Sequence, residues 1–348
     1  MTAEAYRQVI GASVRDRLDL FLTAANRLGT PIGNVEKDFW VSWTLHALYH
    51  RLPPNGPRLL FKGGTSLSKA YGLIQRFSED IDITVFREDI GQAATVEELQ
   101  GLSNNQRRRR LEAIRNACHT YIAGTLKDGL TAALTEDAGE LGRVDIDADD
   151  PDGQTLLVWY PEVERREGAY IRPAVRVEAG AKSALDPHRL AVVKPYVADD
   201  VPDLDLTVPD VTTIDPARTF WDKVVIAHGL RRWHERRGAL RQDGQRVSRH
   251  YYDLHCLINS NIGRAALTNF ELAADCVRHA RMFFDRPDYD LATASRGTFA
   301  IAPVGEMIDL LRRDYANTAA MIFGNAPTLD EILASVTELD TTANRVAA

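Results

Sequence analysis

Cysteine is scarce: three residues in 348, at Cys118, Cys256 and Cys276. They are odd in number and far apart, which excludes a disulfide framework and offers no zinc-knuckle spacing. Each is expected as a small buried apolar residue. The nine histidines show no metal-ligand spacing. No uninterrupted apolar run approaches the roughly 20 residues that span a bilayer. The opening Met1-Thr2-Ala3-Glu4-Ala5-Tyr6-Arg7 lacks the basic-then-apolar order of a secretion signal. A cytoplasmic protein without a membrane partner is therefore expected. Internal repeats and low-complexity tracts are also absent. Positive charge is not in excess, and the net charge of −7 argues against a protein that coats nucleic acid. A local basic groove stays open, because association depends on where charges sit.

What is present is an ordinary globular composition, 45% hydrophobic and 26% charged, enough for two compact units or one elaborated domain. Val14, Leu18, Phe21, Ala25 and Leu28 recur at helical spacing, and the Gly29–Gly33 stretch with Pro31 ends that helix. A second helix is expected after Asp38, carrying Trp40, Trp43, Ala47 and Leu48 on one side. Pro53, Pro54, Gly56 and Pro57 make a stiff break. Beyond it the order becomes strand, glycine turn, helix, strand. Leu59-Leu60-Phe61 is the first strand, Gly63-Gly64 the turn, and Thr65 or Ser66 caps a helix running to about Arg76. Asp80 to Phe86 alternates, with Ile81, Ile83 and Val85 on one face and Asp80, Asp82 and Thr84 on the other. Further strands are expected at Leu156–Tyr160 and Pro173–Ala179, a helix at Asp215-Pro216, and a last helix opened by the capping box of Thr328 and Glu331. The fold class is thus α/β of the α+β kind, a small mixed sheet with helices followed by a helical C-terminal domain. The expected divisions are an N-terminal helical element at 1–54, the sheet-bearing core at 55–210 and the helical domain at 211–348.

Residues two apart on a strand share a face and sit about 7 Å apart. Asp80 and Asp82 so placed suit hard, oxygen-seeking cations. Two metals about 4 Å apart favour in-line displacement at phosphorus, because they stabilise both the entering and the leaving oxygen. The glycine pair Gly63-Gly64 lets the backbone approach a phosphate, and the hydroxyls of Thr65 and Ser66 are candidates to bond the same group. Fifteen residues lie between Gly64 and Asp80, room for one helix and a return beside the starting strand. Taken singly, a glycine pair is a turn and Asp-x-Asp a solvated strand face; the two in this order point to chemistry.

The run Gly63-Gly64-Thr65-Ser66-Leu67-Ser68-Lys69, then Ser78-Glu79-Asp80-Ile81-Asp82-Ile83, resembles the AbiEii-type (MenT-like) nucleotidyltransferase toxins of type IV toxin–antitoxin systems, within the polymerase-beta-like nucleotidyltransferase superfamily. The resemblance extends to Val35–Val41, Arg172–Lys182, Arg218–Lys223 and Arg249–Leu254, in the family's order. It implies a nucleotidyltransferase-type sheet followed by a helical domain. It implies that Asp80 and Asp82 hold the metal, Mg2+ or Mn2+, with Glu178 as a further ligand. By the same resemblance Lys223 contacts the triphosphate of the NTP, and Asp253 is the essential acid of the last motif. The activity implied is nucleotide transfer from an NTP to RNA, the 3′ end of tRNA in members of known substrate, which blocks translation. A cognate antitoxin is the implied partner. Two other classes stay open: transfer to a protein or small molecule, and a non-catalytic nucleotide-binding module.

Alternatives remain for several residues. Lys223 reads equally as a snorkelling lysine, Asp253 as a partner of Arg249 one helical turn away, and Glu178 as a partner of Arg176 across the pleat. Ser78 fits phosphate binding, a modification site or a plain turn. Two arginine clusters are candidates for the RNA backbone, Arg107, Arg108, Arg109 and Arg110 with Arg115, and Arg231, Arg232, Arg236 and Arg237 within a basic stretch to Arg246. The second stretch departs from the family pattern and reads as an insert, with Trp233 available to stack on a base.

Overall fold

The computed structural model describes residues 2–78, 80–163, 172–241 and 246–345. Glu79 of the acidic motif and residues 242–245 of the basic stretch lie outside the described residues.

Helical periodicity winds the start of the chain into α1 (Thr2–Gly11), α2 (Val14–Leu28) and α3 (Ile32–His50). Ser13 caps α2 by accepting from the Asp16 amide, and Gly29 ends it at φ 63°, where its N–H returns to Ala25. Helix α3 starts at Ile32 behind Pro31, earlier than the sequence suggests. Asp38 is therefore inside the helix and not at its cap. Trp40 and Trp43 are both buried there, 1% and 0% exposed.

Strand β1 (Leu59–Lys62) leads into the short helix α4 (Gly63–Lys69), and β2 (Asp80–Val85) follows. The expected helix to Arg76 stops seven residues early. Gly72 takes the left-handed conformation at φ 61°, and the backbone at 75–76 pairs with residues 322–323 instead. Next come α5 (Val96–Gln100), α6 (Asn104–Tyr121) and α7 (Lys127–Ala138), the last two joined by a π turn at Ile122–Leu126. Strands β3 (Arg143–Ile146), β4 (Thr155–Trp159), β5 (Ala174–Gly180), β6 (His188–Val193) and β7 (Val208–Ile214) complete a seven-stranded mixed sheet in the order β3-β4-β5-β2-β1-β7-β6. Four of these seven strands follow from alternation or apolar runs. The other three give no such signal: β3 is a four-residue edge, β6 leaves Leu190 and Val192 exposed, and β7 carries Pro209 and the positive-φ Asp210.

The chain forms two compact units, one of residues 1–71, 77–94 and 104–213, the other of 72–76, 95–103 and 214–348. The first holds the sheet with α1–α4, α6 and α7. Two buried carboxylates clamp its helices. Asp137 on α7, 1% exposed in its side chain, receives Arg7 at 3.0 Å, the Trp43 indole at 2.8 Å and the Arg51 guanidinium. Asp38 on α3 accepts from the Tyr196 amide at 2.6 Å and from Lys69 at 2.6 Å, with Lys69 also 4.0 Å from the Tyr196 ring centroid. Burial pushes the Asp38 carboxyl up and the Lys69 ammonium down, while their mutual attraction opposes both shifts.

The second unit contains α5 and the helices α8 (Pro216–Arg237), α9 (Arg249–Ile258), α10 (Asn261–Ala266), α11 (Phe270–Phe283), α12 (Glu306–Ala319) and α13 (Leu329–Ala343). Asp215 caps α8 through the Ala217 amide, with Pro216 at the first helical position. Thr328 and Glu331 form the expected capping box on α13. Arg231–Arg237, the start of the basic stretch, are the last two turns of α8, supported by the i,i+4 pair of Arg231 with Glu235. Cys118 and Cys276 are buried and Cys256 half-buried, all three free. No helix among the described residues is long and apolar enough to cross a membrane.

Removing one partner of a buried ion pair strands the other charge. Lys69→Met should therefore lower stability by about 3–5 kcal/mol, read as a fall in the denaturation midpoint. An unchanged midpoint would show that the pair does not anchor α4.

Candidate active site

The site begins with the register of two antiparallel strands. Leu59 faces Val85 and Phe61 faces Ile83, which sets Lys62 opposite Asp82 at the strand ends. Ile81, Ile83 and Val85 are fully buried on one face of β2. Asp80 and Asp82 come out together on the other, each half-buried. Strand β5 runs parallel on the far side, pairing Asp80 with Arg176 and Asp82 with Glu178. Lys62, Asp82 and Glu178 thus form a polar row across three strands.

Gly63, the first residue after β1, has φ 77°. A Cβ there would lie 2.0 Å from Asp82 Oδ2 and 2.7 Å from its Cγ. The carboxylate therefore packs against a bare Cα, and glycine is required both for the conformation and for the space. Lys62 Nζ stands 3.6 Å from Asp82 Oδ1. Sequence alone does not single out this lysine among the candidate site residues. Its signal was available, since a residue at the end of β1 must face Asp82 once the strands pair.

The hydroxyls expected to reach a ligand are engaged inside the turn. Thr65, fully buried, donates to Ser78 Oγ at 2.7 Å or to the Asp80 carbonyl, and Ser66 donates to the Gly63 carbonyl at 2.9 Å. These two residues hold the turn to β2, and Ser78 is part of that bracket. Glu178 makes the alternative contact: its carboxylate is 2.9 Å from Arg176 Nη1. Arg176 also donates to the buried Asp147 at 3.1 Å. Burial pulls the Arg176 guanidinium down, yet Glu178, Asp80 and Asp147 outweigh it and hold it above its ordinary value.

No group of three or more acidic, histidine or cysteine side chains is gathered around one point among the described residues. Asp80 and Asp82 together fit a hard cation whose remaining ligands come from water and phosphate oxygens. That is how magnesium is usually held, on one or two carboxylates.

The second unit brings Lys223 and Asp253 into direct contact, Nζ to Oδ2 at 2.8 Å. Asp253 is completely buried and does not use Arg249. Arg76 grips it instead, Nε to Oδ1 at 2.8 Å and Nη2 to Oδ2 at 3.0 Å. Burial works against the charged carboxylate, but the two cations overcome it and hold Asp253 well below the usual carboxylate range. Burial lowers Lys223, partly offset by Asp253. Arg76 was missed in sequence because it lies 177 positions from its partner.

The two arginine clusters differ in kind. In α8 the charges are compensated: Arg231 and Arg232 bind Glu235 at 3.0 and 2.8 Å, Arg237 binds Asp288 at 2.6 Å, and Arg236 lies 3.5 Å from Asp290. Trp233 packs 6.2 Å from the Tyr289 ring and 5.6 Å from the Arg237 guanidinium. In α6, Arg108 and Arg109 are exposed. Arg107 donates to Asn104, and Arg110 to Gln92 and the Ala93 carbonyl, all neutral acceptors. Arg115 pairs with Asp152 at 3.2 Å.

The family model described as "Nucleotidyl transferase AbiEii toxin, Type IV TA system" matches residues 46–335. Among solved structures the chain is similar to MenT4, a nucleotidyltransferase toxin from Mycobacterium tuberculosis H37Rv, at 17% identity over 94% of this chain and 90% of that one, with a TM-score of 0.47. No curated protein matches.

Gly63→Ala should displace the Asp82 carboxylate while leaving the melting midpoint within a few degrees. Misplacement of a catalytic group by an ångström costs about 100-fold in rate, so nucleotide transfer should fall by that order. Wild-type rates in this variant would show that the close approach has no catalytic consequence.

Proposed function

The chain belongs to the AbiEii nucleotidyl transferase toxin family of type IV toxin–antitoxin systems, and on that premise we propose that it transfers a nucleotide from an NTP to the 3′ end of tRNA, using Mg2+ or Mn2+ held on Asp80 and Asp82. The observation that carries this reading is the pair of half-buried carboxylates on one face of β2, with Asp82 seated against the bare Cα of Gly63.

An acceptor hydroxyl oxygen attacks the α-phosphorus in line, the bond from that phosphorus to the α,β-bridging oxygen breaks, and pyrophosphate departs with its electron pair. A bound divalent cation supplies neutralisation of phosphate charge and eases loss of the hydroxyl proton. Asp80 and Asp82 orient the donors for it. The Gly63-Gly64 turn presents its backbone to the triphosphate without side-chain obstruction, while Thr65 and Ser66 keep that turn in place. Lys62 shields Asp82 electrostatically, and Lys223 offers an ammonium to the phosphates. Catalysis is then mostly positioning and charge compensation.

RNA as the acceptor is supported by α6, where Arg108 and Arg109 are exposed and Arg110 donates to the neutral Gln92 side chain and Ala93 carbonyl. The α8 arginines, each matched to an acid, contribute little to such a surface. A cytoplasmic location and a cognate antitoxin go with this activity.

The test is a transfer assay with the purified protein, magnesium, each α-labelled NTP in turn and total tRNA. Label should appear on RNA with the native protein and vanish with Asp82→Ala. Labelled protein or small molecule in place of RNA would reassign the acceptor, and undiminished labelling by Asp82→Ala would remove the proposed metal site. Reversing Arg108 and Arg109 to Glu should weaken tRNA binding at least tenfold and flatten its salt dependence, with NTP binding unchanged. The same reversal of Arg236 and Arg237 should change tRNA affinity by less than about threefold.

A further inference from the structure

A lysine that serves a triphosphate is poorly used if a buried carboxylate neutralises it. Lys223 nonetheless lies 2.8 Å from Asp253, and both side chains are almost inaccessible, at 8% and 0%. The resolution lies in the third member of the cluster. Arg76 takes both oxygens of Asp253 through its Nε and Nη2, including the oxygen that Lys223 uses. One carboxylate is shared by two cations, and a forked guanidinium is the stronger competitor for it.

The guanidinium is held where it can do this. Arg76 forms an antiparallel bridge with Ile322, Phe323 N–H donates to the Gln75 carbonyl at 2.8 Å, and the Tyr252 hydroxyl accepts from the Gln75 amide at 3.3 Å. Asp253 is the next residue of α9 after Tyr252, so one turn of that helix grips both the backbone and the side chain of this segment. Lys223 spends one of its three N–H donors on Asp253, and the others meet no acceptor among the described residues.

We propose that Arg76 is a positioning residue of the triphosphate site: by engaging both oxygens of Asp253 it leaves the Lys223 ammonium a charge and free donors for an anionic phosphate. The proposal rests on the reading of Lys223 as a triphosphate contact. Without Arg76, Asp253 becomes the dedicated counter-ion of Lys223 and the anion loses its attraction. The fields of Arg76 and Arg249 on Lys223, both of one sign, agree with a site kept in need of negative charge.

The probe is inorganic tripolyphosphate, titrated calorimetrically into the full chain without metal, alongside the transfer assay. Lys223→Ala and Arg76→Gln are each expected to weaken binding at least about tenfold, the scale of one partly screened charge. The decisive variant is the double change Arg76→Gln with Asp253→Asn. Removing the carboxylate frees Lys223 again, so affinity should return to within about threefold of the native value. A structural role for Arg76 would instead leave tripolyphosphate affinity unchanged in Arg76→Gln that is folded, with only its melting midpoint lowered. Arg76→Lys, which keeps a cation but loses the fork, should fall between native and Arg76→Gln. Affinities are compared only between variants that melt cooperatively, and Arg76→Lys, which keeps a cation beside Asp253, supplies the comparison where Arg76→Gln does not fold. If Lys223→Ala loses affinity but Arg76→Gln, folded, does not, the proposal fails and the reading of Lys223 survives. If the double variant is folded and binds no better than Arg76→Gln, Arg76 does not act through Asp253 and the proposal is overturned. If Lys223→Ala binds as tightly as the native chain, the reading of Lys223 falls, and this inference with it.

Discussion

The contact of the Asp82 carboxylate with the Cα of Gly63 governs the geometry of the polar face that carries Asp80 and Asp82. It exists because β1 and β2 pair with Lys62 opposite Asp82, so that the first residue past β1 lies beneath the carboxylate. The hidden face of β2 enforces that pairing. A slip of one residue would send Ile81, Ile83 and Val85 into the polar layer and Asp80 and Asp82 into the core. The hydrophobic effect thus sets the register, and the register sets the carboxylates. Thr65 and Ser66 then fasten the turn, using their hydroxyls for architecture.

Buried carboxylates do the corresponding work away from the sheet. Asp38, Asp137 and Asp253 are each withdrawn from water and each serves several donors. A charge in such a place is tolerated when its oxygens are satisfied, and satisfying them demands that distant segments meet with defined geometry. Asp38 joins α3 to the end of α4 and to the Tyr196 backbone. Asp137 joins α1, α3 and α7. Asp253 does the same in the helical unit, where Arg76 and Lys223 share its two oxygens.

The arginines show why composition is a blunt guide to a binding surface. Two runs look equally basic in sequence, yet the one at the end of α8 is matched to acids, while along α6 Arg108 and Arg109 are exposed and Arg110 donates to neutral acceptors. Charge that is compensated within a few ångströms contributes little to a long-range field. The acids that decide the matter, Asp288 and Asp290, lie some fifty residues from their arginines.

The sequence by itself determined the local elements whose cause is local: α2 from its apolar spacing, α8 from Asp215 and Pro216, α13 from its capping box, and β2 from alternation. It also carried the order of glycine turn and paired carboxylates, because side-chain period and chain length require that Asp80 and Asp82 share a face near Gly63. Tertiary structure decided the rest. It ended α4 at Lys69, placed Asp38 inside a helix, added three strands without alternation and gave Asp253 to Arg76. Each of these turns on a partner remote in the chain. The energy of a buried charge or an edge strand depends on what covers it, and a single stretch of residues does not contain that information.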